Sequence, residues 1–342
     1  MSLLFYDAQT KYNSLAQLTQ VWDSQNATSI AFSTTITPYD TGRSVRLGGQ
    51  NAEGNAWVVA LGSTETKLRF GFWHYATGGE SWFGFRNGSD RMCQFRIQPD
   101  YQVQFSRGFF NADQAVLKTL GYMDRATWVW YEGYIGFGNS TGFGYFRKNG
   151  RSIGSVTGVD TIASASTAAL AGADTFVVAH HYTNIWVSDF MVWTDSGDWP
   201  NGWIGPQRLS VLPPNGDGTH SAWSLSAGSS GWSLIDSVAL STSDYISSTS
   251  TGNKSSFDVG AMPASAGGVI NAVSAEMWGA NIGGGSTELS AGIIDSSTEE
   301  YGTADVVGTG RRVTLFLPTR PGSTVAWSST DIGALEIAVR HG

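Results

Sequence analysis

The chain has 342 residues, enough for one large or two ordinary domains with a sizeable core. Charged residues make up only 14 %, well below the quarter usual in globular chains, and 43 Gly and 13 % aromatics fill the gap. A formal net charge of −8 without any basic run excludes nucleic acid as a partner, because such a surface repels phosphate backbones.

Turn-forming Gly, Ser and Thr mixed with β-favouring aromatics point to β-sandwiches. No eighteen consecutive apolar residues occur, so no helical membrane insertion is expected. The opening "MSLLFYDAQTK" has no basic n-region and a short apolar run, unlike a signal peptide, so synthesis in a cytoplasm as a soluble chain is expected. The single cysteine, Cys93, forms no internal disulfide, which leaves packing to hold the fold.

In chain order, "NSLAQLTQVW" (Asn13 to Trp22) predicts a short helix capped by Asn13 or Ser14. "CQFRIQPDYQVQFSR" predicts a hairpin: Cys93, Phe95 and Ile97 alternate with Gln94, Arg96 and Gln98, then Tyr101, Val103 and Phe105 alternate with polar residues. One face is expected buried and the other wet, with the turn at Pro99-Asp100. "TWVWYEGYIGF" (Thr127 to Phe137) is apolar on both faces, as in a strand inside a sandwich or under a covering loop. "FGYFRKNGRSIGSV" places Asn149-Gly150 between two alternating runs, the signature of a type I′ hairpin. Strands are expected at Thr175 to His180 and Ile185 to Thr194.

Near residue 205 the character changes. Residues 206–342 hold four of the fourteen tryptophans and 12 acids against 6 bases, whereas residues 1–205 hold 16 acids against 14 bases. Two domains are expected, 1–205 and 206–342, the second a smaller β-domain. "RLSVLPP" reads as the first strand of that domain, ended by prolines that cannot donate to a ladder. "NGDG" reads as a tight turn rather than a calcium loop, since only Asn215 and Asp217 fit ligand spacing. "GVINAVSAEMW", "RRVTLFLP" and "GALEIAVR" supply further short strands.

The phrases "LLFYDAQTKYNSLAQLTQVW", "IWVSDFMVWTDSG", "GWIGPQRLSVLPPNGDGTHSAWS" and "WSSTDIGALEIAVR", in that order, resemble a group of tailed-bacteriophage virion proteins. The resemblance spans nearly the whole chain. It implies an all-β chain: an N-terminal concanavalin A-like (laminin-G-like) jelly roll followed by a smaller β-sandwich-like domain. It also implies a place on the particle surface, as tail fibre, tail tip, head fibre or decoration protein. Other virion proteins would be partners, and the chain would form a homo-oligomer, a trimer by family habit. The family often carries paired acids in the strand before the seam; here that position reads Ser188-Asp189.

Catalytic and cofactor signals are weak. A glycosidase needs two carboxylates facing one cleft, and no apolar strand carries acids at i and i+2 or i+4. Asp295, Glu299 and Glu300 sit in the turn-like "IIDSSTEEYG", and Asp195 and Asp198 in "TDSGDW"; both read as solvated loops. His180 and His181 are adjacent on a strand and point to opposite faces, so they read as one packed and one wet side chain rather than a metal pair. No nucleophile elbow or phosphate loop is present, and no cofactor is expected. The alternation that sets Cys93 beside Phe95 and Ile97 makes it a packed residue, not a reactive thiol.

Aromatics are the remaining candidates, because sugar rings stack C–H faces on Trp and Tyr. "WHYATGGESWFGFRNGSDR" (Trp73 to Arg91) offers Trp73, Tyr75 and Trp82 with Asn87 and Asp90 as hydroxyl partners, a lectin-like set. The same aromatics also suit a core or a subunit interface. The expectation is a non-enzymatic virion surface protein in contact with host surface glycan. A receptor-binding lectin and a capsule depolymerase are the alternatives.

Overall fold

The computed structural model describes residues 3–8, 18, 21–22, 24–25, 30–39, 43–47, 56–88, 90–108, 114–162, 172–181, 185–197, 199–236, 243–262, 268–284, 286–308 and 310–342. The chain divides into two compact units, Met1–Leu209 and Ser210–Gly342.

In the first unit the strands are β1 (Leu3–Asp7), β2 (Ser24–Gln25), β3 (Ala31–Ser33), β4 (Ser44–Leu47) and β5 (Ala56–Glu65). They continue with β6 (Lys67–Ala76), β7 (Glu80–Asn87), β8 (Asp90–Ile97), β9 (Gln102–Arg107) and β10 (Ala115–Tyr122). The last are β11 (Val129–Gly136), β12 (Gly142–Lys148), β13 (Arg151–Val159), β14 (Ala173–His181) and β15 (Ile185–Trp193). They form two antiparallel sheets. One has the order β13-β12-β11-β6-β15-β4-β3 with β1 also on β15, and the other β10-β9-β8-β7-β14-β5-β2. Chain-adjacent strands such as β6 and β7 fall in different sheets, which makes this a jelly-roll sandwich.

Alternation decides what meets between the layers. Phe70 and Phe72 of β6 face Phe83 and Phe85 of β7, and all four are fully buried. Phe72 and Phe83 stack with centroids 4.0 Å apart, and Phe70 also contacts Phe95 and Phe176. Cys93 lies buried on the same side, and burial pushes its thiol well above the usual range.

The β8–β9 hairpin forms as expected, with Tyr101 taking a positive φ of 68° after Pro99-Asp100. Its polar face is not all wet, however: Gln94 is fully buried. The outward face of that sheet is itself apolar, with Ala56, Trp82, Val177 and Ala179 clustered on it. Asn149 and Gly150 take φ of 46° and 76° between β12 and β13, the type I′ geometry. Asn13 and Ser14 lie outside the described residues; Leu18 is helical, and its carbonyl accepts from the Trp22 amide at 3.1 Å.

The second unit comprises β16 (Pro214–Ser221), β17 (Ser224–Leu225), β18 (Ile246–Ser247), β19 (Lys254–Val259), β20 (Val273–Gly279) and β21 (Thr287–Asp295). It ends with β22 (Thr298–Tyr301), β23 (Asp305–Val307), β24 (Arg311–Leu317) and β25 (Leu335–His341). Two short helices, α1 (Trp232–Ile235) and α2 (Ser329–Ile332), interrupt them. The main sheet runs β16-β19-β25-β21-β22 with β23 on β21, and the β20–β24 pair closes over it. Val259, Ala291, Ile293 and Leu335 of the sheet pack with Ala275, Val313 and Leu315 of the pair, a two-layer β-sandwich.

Two expectations near the seam are corrected. "RLSVLPP" is not a strand: residues 208–213 carry no regular structure, and Arg208 and Leu209 belong to the first unit. "NGDG" is not a turn but the middle of β16, an edge strand that starts on Pro214, where a missing N–H costs least. Its glycines fit because polar groups crowd the strand: Glu336 accepts from the Thr219 amide at 2.9 Å and from the Ser256 hydroxyl. A Cβ on Gly218 would stand 2.6 Å from Ser256 Oγ. Asp217 accepts from Trp232 N at 2.8 Å and Ser230 Oγ at 2.9 Å.

"IIDSSTEEYG" is likewise a hairpin, β21 to β22, turning at Ser296-Ser297. Asp295 is buried and pairs with Arg320 at 2.5 Å, while Glu299 binds Lys254 and His220. These acids are held in ion pairs across neighbouring elements rather than solvated in a loop.

Candidate functional site

The five aromatic-loop residues do not form one site. Trp73 and Tyr75 alternate with core residues on β6 and so point outward from the first sheet. Trp82 points outward from the other sheet, on the opposite side of the sandwich. It is only 3 % exposed, packed against Ala179 with the Arg96 guanidinium 5.9 Å from its ring, so it offers no open face to a sugar. Trp73 Nε1 donates to Gln207 O at 2.7 Å, and Tyr75 lies 5.7 Å from Trp128. Asn87 donates to Gly172 O at 2.9 Å, and its cross-strand neighbour Asp90 closes the β7–β8 turn. His180 is buried, while the side chain of His181 and the whole of Asp198 lie outside the described residues. Among the described residues no three His, Cys, Asp or Glu side chains gather as metal ligands.

What does gather lies on the outward face of the first sheet. Register sets Trp193, Arg69, Tyr134 and Tyr145 in one row across β15, β6, β11 and β12. The next row holds Met191, Gly71, Glu132 and Arg147, and the one beyond it Ser188, Trp73 and Trp130. Gly71 is required: a Cβ there would stand 2.5 Å from Trp130 Cζ2.

A strap, residues 199–209, lies across these rows. Trp193 Nε1 donates to Gly202 O at 3.0 Å. The Ile204 and Gly205 amides donate to Glu132 Oε1 at 2.9 and 3.1 Å. Gln207 O accepts from Trp73 and, at 3.0 Å, from the Tyr39 hydroxyl. The Tyr39 oxygen also lies 2.5 Å from Asp189 Oδ2 and shares its single proton between the two acceptors. Asp189 is fully buried at a positive φ of 52°. Burial pushes its carboxyl up to about 7, against the pull of Tyr39 and Arg208. The second side chain of the Ser188-Asp189 pair is therefore packed beneath the strap.

At one end the strap leaves a pocket of about 300 Å³ lined by Arg69, Tyr134, Phe143, Tyr145 and Trp203. The Arg69 guanidinium lies 3.6 Å from the Tyr134 ring centroid and 4.7 Å from that of Trp203. Arg147 lies 4.1 Å from the same Trp203 ring. Arg69 Nε pairs with Asp195 at 2.6 Å, and Tyr134 donates to the other Asp195 oxygen. Asp195 is thus exposed but tied at the rim, not a free loop acid.

The two carboxylates behave oppositely. Burial acts to raise Asp195, but hydrogen bonds from Tyr134 and Arg69 and the Arg69 charge hold it below the usual range. Burial lifts Glu132 above its range, against the strap amides and the charges of Arg147 and Arg69. The site therefore presents flat aromatic faces beside guanidinium donors, which suits a ring-shaped ligand with acceptor groups.

Sequence reasoning did not single out Arg69, Tyr134, Phe143, Tyr145, Arg147 or Trp203. A signal was present: "RFGFWHY", "WYEGY" and "FGYFR" each alternate an aromatic or charged residue with a core residue on one face. Strand β11 looked apolar throughout because the strap covers its outer side.

No family model and no curated protein matches this chain. Among solved structures it is similar to an endo-β-1,4-glucuronan lyase from the fungus Trichoderma reesei, at 13% identity and TM-score 0.39 over 56% of this chain and 94% of that one. It is also similar to the CBM2 module of the evolved Dit of Lactobacillus casei BL23 phage J-1, at 12% identity and TM-score 0.33 over 58% and 98%. A tetrameric galectin from the sponge Cinachyrella is similar at 8% identity and TM-score 0.32 over 41% and 99%.

Proposed function

We propose that the protein is a non-enzymatic surface component of a tailed-bacteriophage particle that contacts host surface glycan through its first unit. The observation that carries the glycan contact is the open pocket in which Tyr145, Phe143 and Trp203 surround the Arg69 guanidinium. The virion setting rests on the sequence resemblance and includes docking to other virion proteins and assembly as a cyclic homo-oligomer, with a trimer expected. Many copies on a particle turn weak single contacts into useful avidity.

The test is an array of host capsule and lipopolysaccharide glycans probed with the full-length protein. Wild type is expected to bind and Tyr145→Ala to lose binding while keeping its Tm, since Tyr145 is half-exposed at the pocket. A large Tm loss would assign Tyr145 to packing, and no binding by wild type would end the reading. Hydrolysis is the competing reading, favoured by the opposed carboxyls of Glu132 and Asp195. Glu132 is fully buried under the strap amides, out of reach of a glycosidic oxygen. No reducing ends are therefore expected, and release abolished by Asp195→Asn would replace binding with catalysis.

A further inference from the structure

Charge at the pocket narrows its ligand. Asp195 is matched by Arg69, whose Nε it takes, and the buried Arg69 Nη1 has no hydrogen-bond partner among the described residues. The Arg69 side chain is only 8% exposed, so the donor is held in place by the rings around it rather than by water. Arg147 forms no ion pair among the described residues; its guanidinium rests on the Trp203 ring. Its cross-strand neighbour Glu132 spends one oxygen on the strap and lies buried beneath it. Lys67 adds a further positive charge near Asp195. A pocket with surplus positive charge stands out on a chain of net charge −8.

Guanidinium groups match planar carboxylates, bonding both oxygens through parallel N–H groups. The flat rings of Tyr145, Phe143 and Trp203 match a sugar face, whereas an acidic peptide carries its carboxylates on flexible stems without such a face. We propose that the pocket takes a carboxylate-bearing sugar, a uronic or sialic acid unit of a polysaccharide, with its ring against Tyr145 and Trp203 and its carboxylate on Arg147 and Arg69. This rests on the glycan reading above and specifies which glycans satisfy it.

The experiment measures binding of the full-length protein to polygalacturonate, alginate and polysialic acid, each native and after carboxyl reduction to the neutral alcohol. Dextran, mannan and polyglutamate complete the set. The expected result is binding to at least one native acidic polysaccharide, weakened tenfold or more by carboxyl reduction. Arg147→Ala should weaken it similarly, with Arg147→Lys intermediate because a point charge replaces the fork. The polymer arms use wild-type protein alone, so a misfolded mutant leaves their outcome unchanged. Equal binding before and after reduction, or binding to dextran or mannan alone, overturns the acidic-sugar proposal and leaves the glycan reading standing. Equal binding to polyglutamate overturns it in favour of a generic polyanion site. No binding to any of these polysaccharides overturns the acidic-sugar proposal, and ends the glycan reading too only if the host-glycan array is also blank.

Discussion

Asp189 shows how one buried carboxyl couples the fold to pH. Its folded value of about 7 lies above the ordinary carboxylate value near 4, so the folded state holds a proton that the unfolded chain releases. The stabilisation is therefore complete below about pH 4 and is lost as pH rises through 7. Glu132 is shifted in the same direction. That dependence is steepest between about pH 5 and 6 and fades as pH passes through 7. Melting curves at pH 5, 6, 7 and 8 should show the wild-type Tm falling and Asp189→Asn flattening that fall. Parallel curves for the two proteins would mean that Asp189 is ionised throughout. None of this was legible in the sequence. "VSDF" gives only a polar pair in an apolar strand, and the positive φ and the Tyr39 partner 150 residues away are products of the fold.

At the scale of elements, strands and hairpins were readable and the strap was not. Period two reports which face a strand buries, and Asn-Gly reports a mirror-image turn, because both are local properties of the chain. The strap has no period. It is fixed by backbone groups meeting distant side chains, and only its last two residues, Arg208 and Leu209, read as the start of a new strand. "NGDG" misled for a related reason: its glycines serve the close approach of Glu336 and Ser256, not a turn. Glu132 is the strap's central anchor. Glu132→Ala removes the acceptor of two amides and should cost roughly 1–3 kcal/mol. Hydrogen exchange at Ile204 and Gly205 should accelerate in that variant and stay near wild type in Glu132→Gln, which keeps the oxygen. Equal exchange in all three proteins would remove Glu132 from this role.

For the molecule as a whole, two separate cores imply two folding units, with cleavage directed to the residues that neither core claims. Ser210 and Val211 are exposed and in no strand, whereas Pro214–Ser221 is paired with β19. Limited proteolysis should therefore nick at residues 210–213 rather than within 214–219 and release two folded pieces. Each piece, expressed alone, should melt cooperatively; failure of both to do so would make the chain one folding unit. The candidate pocket was only half-visible: the rings of Tyr134, Phe143 and Tyr145 lie on strands that sequence could place, but Trp203 reaches it from a segment without a period.

The strap also has a mechanical meaning. It is the final segment of the first unit, so tension along the chain enters that unit at Leu209. Paired strands of a sheet share a pull among many hydrogen bonds at once and resist it in shear. The strap is loaded from one end, so its attachments are met in turn: Leu209 on Asp189, then Gln207, Glu132 and Trp193. A load entering at Leu209 therefore meets the strap, and with it Trp203 and the pocket, before the sheet beneath.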